Sequence, residues 1–173
     1  LWLALDLMAL MIVIMGGRVI PLFSRNVLPQ AGIATWNAVD LAAIGATAAI
    51  VPVDLLLGEG PALGGVALAA GLANLVRILP WRGWVTWRQP ILVILHVGYL
   101  WLPIAFFLRG AGAFDWLPMD AAIHALGSGA IGTLTIGMMS RVVLGHSGRP
   151  IVAAPLTAIA YALVVLAGAL RVA

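Results

Sequence analysis

Apolar runs alternate with short polar segments along the whole chain, and the alternation has the period of a membrane protein. Runs of roughly 18 to 23 apolar residues match the ~20 residues a helix needs to cross a hydrocarbon core. The first run, Leu1 to Met15, is short for a span. It gives way to Gly16-Gly17-Arg18-Val19-Ile20-Pro21-Leu22-Phe23-Ser24-Arg25-Asn26, where the glycine pair and the proline predict a loop. Five further spans are predicted over residues 36–57, 62–79, 90–108, 118–140 and 151–170, the fourth kinked at Pro103. The fold class that follows is all-α: a polytopic transmembrane helix bundle of about six spans. Residues 1–173 form a single transmembrane region with no soluble domain. The chain opens with Leu1 in mid-run, without Met or a charged leader, so it reads as the C-terminal half of a larger membrane protein.

Polar positions inside the fifth span change the picture. His124, Ser128, Thr135 and Met139 fall at i, i+4, i+11 and i+15, which share one helical face. Polar groups are expensive in lipid, so this face is expected to look at other helices or at a cofactor. Gly129, Thr133 and Gly137, spaced four apart, form a small-residue side that a neighbouring helix or a flat macrocycle could approach closely.

Composition agrees and narrows the chemistry. Hydrophobic residues make up 64% and charged residues 9%, which excludes an ordinary soluble domain, where about a quarter of residues are charged. The formal charge of +3 is not a nucleic-acid signal, because the basic residues sit between apolar runs. All nine are arginine, so there is no lysine for a Schiff base or a phosphate-binding P-loop. With no cysteine, any metal must take His, Met, Tyr, carboxylate or backbone oxygen. Arginines crowd alternate connections: Arg18 and Arg25, then Arg77, Arg82 and Arg88, then Arg141 and Arg149. The opposite side carries Asp54, Glu59, Arg109, Asp115, Asp120 and Arg171. The positive-inside rule assigns the arginine-rich side to the cytoplasm and the C-terminus to the exterior.

Three histidines are the candidate ligands. His96 lies in the fourth span with Tyr99 and Pro103 on its face, and His124 lies in the fifth. Helical rise separates these two by roughly 13 Å along the membrane normal. Two axial ligands of one iron need ring nitrogens only about 4 Å apart, so His96 and His124 are expected to serve different centres. His146, in a glycine-flanked loop, belongs to the arginine-rich side. His96 and His124 have a plainer reading as interhelical hydrogen bonders, and His146 as an ordinary loop histidine. The arginines, Arg77 among them, read first as topology anchors, and Met138 and Met139 as packing. Asn37, Asp40 and Asn74 read as polar glue between helices, and Asp6 has no obvious partner.

Three segments together resemble the NnrS family of haem- and copper-containing bacterial membrane proteins. They are Gly16 to Asn26, then Leu95-His96-Val97-Gly98-Tyr99-Leu100-Trp101-Leu102-Pro103, then His124 to Pro150. The resemblance covers the C-terminal half of a family member of about twelve spans, without the His-rich motif of the amino-terminal half. It implies haem and copper as cofactors, a role in nitric oxide metabolism or nitrosative-stress resistance, and a multi-pass location in the bacterial cytoplasmic membrane. It supplies no established reaction. Partners implied are the amino-terminal half of the same chain, the lipid bilayer, and nitric oxide or a related small molecule. Carried onto matching positions, it makes His96, His124 and His146 metal-ligand candidates and Arg18, Arg25, Arg141 and Arg149 supporting residues for haem propionates or other anions. Two other classes stand beside this reading. One is a transporter or channel with a buried His/Arg pathway, and the other is a structural membrane subunit with no cofactor of its own.

Overall fold

The computed structural model describes residues 1–173, all in one helical bundle. Six helices are long and apolar enough to cross a membrane. They are α1 (Trp2–Val27), α2 (Asn37–Leu57), α3 (Pro61–Ile78), α4 (Pro90–Ala113), α5 (Met119–His146) and α6 (Pro155–Val172). Between α3 and α4, two short 3-10 turns (Leu79–Trp81 and Gly83–Thr86) carry the Trp/Arg segment. Helix α4 is the central post: 56% of its apolar stretch is buried within the chain, against 11% for α6 and 17% for α2. The outer helices therefore present most of their leucines to lipid or to a further partner.

Two expectations from the sequence are corrected. The segment Gly16–Asn26 is not a loop. It continues α1 to Val27, with Pro21 inside the helix. A bilayer favours helix over open loop because freed backbone groups find no water, so glycine and proline are tolerated there. The glycines serve contact instead: a Cβ on Gly17 would overlap the Arg77 guanidinium, and one on Gly16 would lie 3.0 Å from the Tyr99 ring. The fifth span does not stop near residue 140, nor is His146 in a loop. Helix α5 runs on to His146, its last helical residue.

Helix α5 also changes pitch. Residues Ala125–Gly132 are π-helical between α-helical Met119–His124 and Thr133–His146. Hydrogen bonds from i to i+5 turn the chain less per residue, so the face above this segment is out of phase with the face below it. That explains a further correction. His124, Ser128, Thr135 and Met139 do not form one interior face, for Thr135 and Met139 are exposed while His124 and Ser128 are half-buried. The small-residue side does pack inward, against α4. Gly129 lies under Trp101, Gly137 lies against Ile94 and Leu95, and Thr133 is fully buried.

Polar contacts fix which helix ends lie together. At one end, Ala34 N–H donates to the Pro80 carbonyl (3.0 Å) and Arg82 Nη1 donates to the Ala31 carbonyl (2.8 Å). This joins the α1–α2 and α3–α4 connections, so the arginine-rich segments share one side as the alternation required. At the opposite end, Arg109 of α4 pairs with Asp6 of α1 and, at 3.2 Å, with Asp54 of α2. The Trp2 ring covers the same guanidinium at 4.2 Å. Arg109 and Asp6 are both buried, so Arg109 is a helical interior residue, and Asp6 has found its partner. Removing one member of such a pair strands the other charge at a cost of about 3–5 kcal/mol.

Two outcomes test this architecture. Gly129→Leu and Gly137→Leu should lower the yield of monodisperse protein in detergent, each overpacking the α4–α5 contact by about 1–3 kcal/mol. Gly145→Leu, where no atom lies within 4 Å of a Cβ, should behave as wild type. Equal yields from all three would place the glycine side of α5 away from α4. Reporter domains inserted at Gly83 and Gly148 should read the same compartment, and one at Trp116 the opposite one. A shared reading at all three would overturn the six-span topology.

Candidate functional site

The three histidines occupy three separate environments. His96, six residues into α4, faces α1: its Nε2 lies 2.9 Å from Ser24 Oγ, and Ser24 Oγ donates its own proton to the Ile20 carbonyl at 2.9 Å. With the serine proton so committed, Nε2 is the imidazole donor and Nδ1 keeps its lone pair. Gly83 packs beside that nitrogen, where a Cβ would stand 2.9 Å from Nδ1. The ring lines a cavity of about 400 Å³ with Ile78, Leu79, Trp84, Trp87 and Val97. This is an apolar, aromatic-walled recess with one convergent imidazole, the form of a small-molecule or cofactor pocket. Trp81, fully buried, stands edge-on to both His96 (6.2 Å) and Tyr99 (4.7 Å) between ring centroids. At the mouth, Arg88 lies over the Trp87 ring at 4.7 Å.

His124 lies at the other end of the bundle, in the first turns of α5, where Arg171 Nε donates to its Nδ1 at 3.2 Å. The neutral ring then carries its proton on Nε2, and neither nitrogen offers a free lone pair in this arrangement. His146 is exposed at the end of α5. The chain brings no three His, Asp or Glu side chains together in a metal-binding group. His96 and His124 thus belong to different places, as their depths required.

The four candidate arginines also divide. Arg18 and Arg25, seven residues apart on one face of α1, line a polar cavity of about 390 Å³ with Thr35, Asn37, Asp40 and Arg77. Arg141 is buried against Phe23, its guanidinium 3.6 Å from the ring centroid, and its Nη1 has no hydrogen-bond partner. Arg149 is exposed in the α5–α6 connection.

Sequence reasoning missed the group that organises this region. Arg77 is no topology anchor: it is 2% exposed and bonded to three helices. Its Nε donates to Asp40 Oδ1 (2.7 Å), and its Nη1 donates to the Val13 carbonyl (2.7 Å) and to Tyr99 Oη (3.0 Å). Tyr99 then donates to Asn74 Oδ1 (2.8 Å), and Asn74 donates to Thr47 Oγ1 (3.1 Å). The available signal was spacing, since Asn74 and Arg77 are i and i+3 on α3 and face the same way. Ser24 was also missed as the partner of His96, and Trp84 and Trp87 as walls of its recess. A buried phenol without a partner, Tyr161 of α6, lines a second apolar cavity of about 540 Å³ that shares Trp87, Val93 and Val97 with it.

No curated protein sequence and no solved structure is significantly similar to the chain. The family described as NnrS protein matches residues 1–173, the whole of the sequence. That match takes in the glycine–arginine segment of α1, the histidine of α4 and all of α5. The chain belongs to the NnrS family, and with six membrane-crossing helices it is a multi-pass membrane protein.

Proposed function

We propose that this protein is a haem-binding membrane protein of nitric oxide metabolism or nitrosative-stress resistance in the bacterial cytoplasmic membrane. His96 is the axial ligand in this reading. The observation that carries it is the His96 recess: one imidazole nitrogen held by Ser24, the other with its lone pair free, and apolar aromatic walls around it. A ligating histidine is normally oriented through its second nitrogen, and Ser24 is that partner here. Gly83 lines the same recess, and any side chain there would press on the ring, since its Cβ would stand 2.9 Å from Nδ1. When bound, haem would supply an iron centre able to take a diatomic ligand. The residues of the recess would hold the imidazole in one orientation and keep bulk water out.

Copper fits this chain less well, because its histidines stand apart and form no multidentate group. In this reading His124 and His146 would contribute at most one bond each to a copper ion. The transporter or channel alternative loses weight on one observation. Half-buried Asp40 and buried Arg77, Tyr99, Asn74 and Thr47 form one continuous chain of hydrogen bonds, which describes a brace more than a conduit.

Visible spectra and metal analysis of three single variants test the assignment. His96→Ala in the intact protein should abolish or strongly shift the Soret band, while Ser24→Ala should keep the haem but weaken its retention several-fold. His124→Ala should spare that band. Full haem content and an unchanged spectrum in His96→Ala would sink the proposal for this residue.

A further inference from the structure

Arg77 has one nitrogen to spare. Its Nε and Nη1 are bound to Asp40, Val13 and Tyr99, whereas Nη2 makes no hydrogen bond within the protein. The missing side chain of Gly17 gives that nitrogen its place, since a Cβ there would coincide with it. The guanidinium lines the 390 Å³ cavity between α1 and α2 together with Arg18 and Arg25. Neither of those arginines is ion-paired, and the cavity's one carboxylate, Asp40, already serves Arg77. Two positive charges are therefore uncompensated around a space that also holds Thr35 and Asn37. The cavity abuts the first turn of α2, whose leading backbone N–H groups point toward its N-terminus and favour an anion there.

The side of α1 matters as well. Arg18 and Arg25 are seven residues apart and share a face, whereas Ser24, which holds His96, points about 100° away around the helix. The cavity and the His96 recess thus lie on different sides of α1, and they share no lining residue.

We propose that the cavity formed by Arg18, Arg25 and Arg77 with Thr35 and Asn37 is a binding site for a phosphate-class oxyanion at the arginine-rich edge of the membrane, separate from the His96 recess. Arg77 is the fixed, pre-oriented cation, and Arg18 and Arg25 close on the anion from the aqueous side. The same chemistry suits free phosphate and the phosphodiester headgroup of an anionic lipid. Fork-shaped guanidinium donors recognise both.

The test uses the intact protein and Arg18→Gln/Arg25→Gln, a double variant at one exposed and one half-buried position that leaves the Arg77 brace in place. In one arm, delipidated protein is titrated with inorganic phosphate against chloride at matched ionic strength, and the thermal midpoint is followed. In the other arm, the midpoint is compared in vesicles of phosphatidylcholine alone and with added phosphatidylglycerol. Saturable stabilisation by phosphate identifies a free anion as occupant, and stabilisation by phosphatidylglycerol alone identifies a lipid headgroup. In either case the double variant should weaken the apparent affinity at least tenfold, and Arg88→Gln, outside the cavity, should not. Absence of an Arg18/Arg25-dependent response in both arms would overturn the site. Loss of the haem band in the double variant would also overturn it, by assigning these arginines to haem propionates. A protein that binds no haem leaves both binding arms readable, so the two proposals fail separately.

Discussion

A guanidinium enclosed among transmembrane helices must be surrounded by acceptors, and that requirement on Arg77 sets the relative placement of four of the six helices. Its partners come from α1 (Val13 carbonyl), α2 (Asp40) and α4 (Tyr99), while the residue itself stands on α3. In lipid, apolar burial contributes little to helix association, because acyl chains are as apolar as leucine. Packing and interhelical polar bonds decide instead. An ordinary interhelical hydrogen bond contributes about 1 kcal/mol, whereas stranding a buried charge costs about 3–5 kcal/mol. A helix that slipped by one turn would forfeit the larger quantity. Arg77 therefore selects register more than it adds stability. Gly17, Asp40, Tyr99 and Asn74 read as the conditions under which an arginine can sit there.

The opposite end repeats the logic with different residues. Arg109 draws Asp6 and Asp54 together, so α1, α2 and α4, already joined through Arg77, are tied a second time by a buried charge. Helices α5 and α6 have no such tie. Helix α5 is held to α4 by glycine contacts at Gly129 and Gly137, and α6 meets α5 closely where Gly168 passes Gly129. The only side-chain hydrogen bond from α6 is Arg171 to His124, at an exposed position. The bundle thus consists of a charge-locked group, α1 to α4, and a pair, α5 and α6, held by packing instead. The π segment lies in that pair, in the part of α5 that contacts both α4 and α6.

Much of the fold was legible because a membrane reduces the reading to run lengths and loop charges. Spans two, three and four begin within a residue or so of the observed helices, and the arginine-rich connections do share a side. The loop error came from applying a rule learned in water. Gly16, Gly17 and Pro21 punctuate a soluble chain, but inside a bilayer the backbone stays helical and the glycines become contact points for Tyr99 and Arg77. Counting Arg77 as a loop charge failed because charge counts carry no information on pairing. The phase shift in α5 was hidden because no residue type marks a π turn. The site was legible in part. His96 could be singled out as an ionisable group inside a span, but its partner Ser24 lies 72 positions away and its aromatic walls come from a connection.

The recess and the arginine cavity, though separate, are anchored on one piece of packing. Trp81 stands edge-on between His96 and Tyr99, and the Tyr99 hydroxyl is held from both sides by Arg77 and Asn74. An imidazole bonded to Ser24 at one nitrogen and bounded by Trp81 and Gly83 is restricted in orientation before any ligand arrives. The energetic consequence is preorganisation: ordering that has already occurred in the folded bundle is not charged again on binding. If His96 takes the proposed haem, the Arg77-centred helices would do for it what groups around the ligands do in a soluble metal site. His96 stands on α4, the most enclosed of the six helices, so its orientation is set from several neighbouring elements at once.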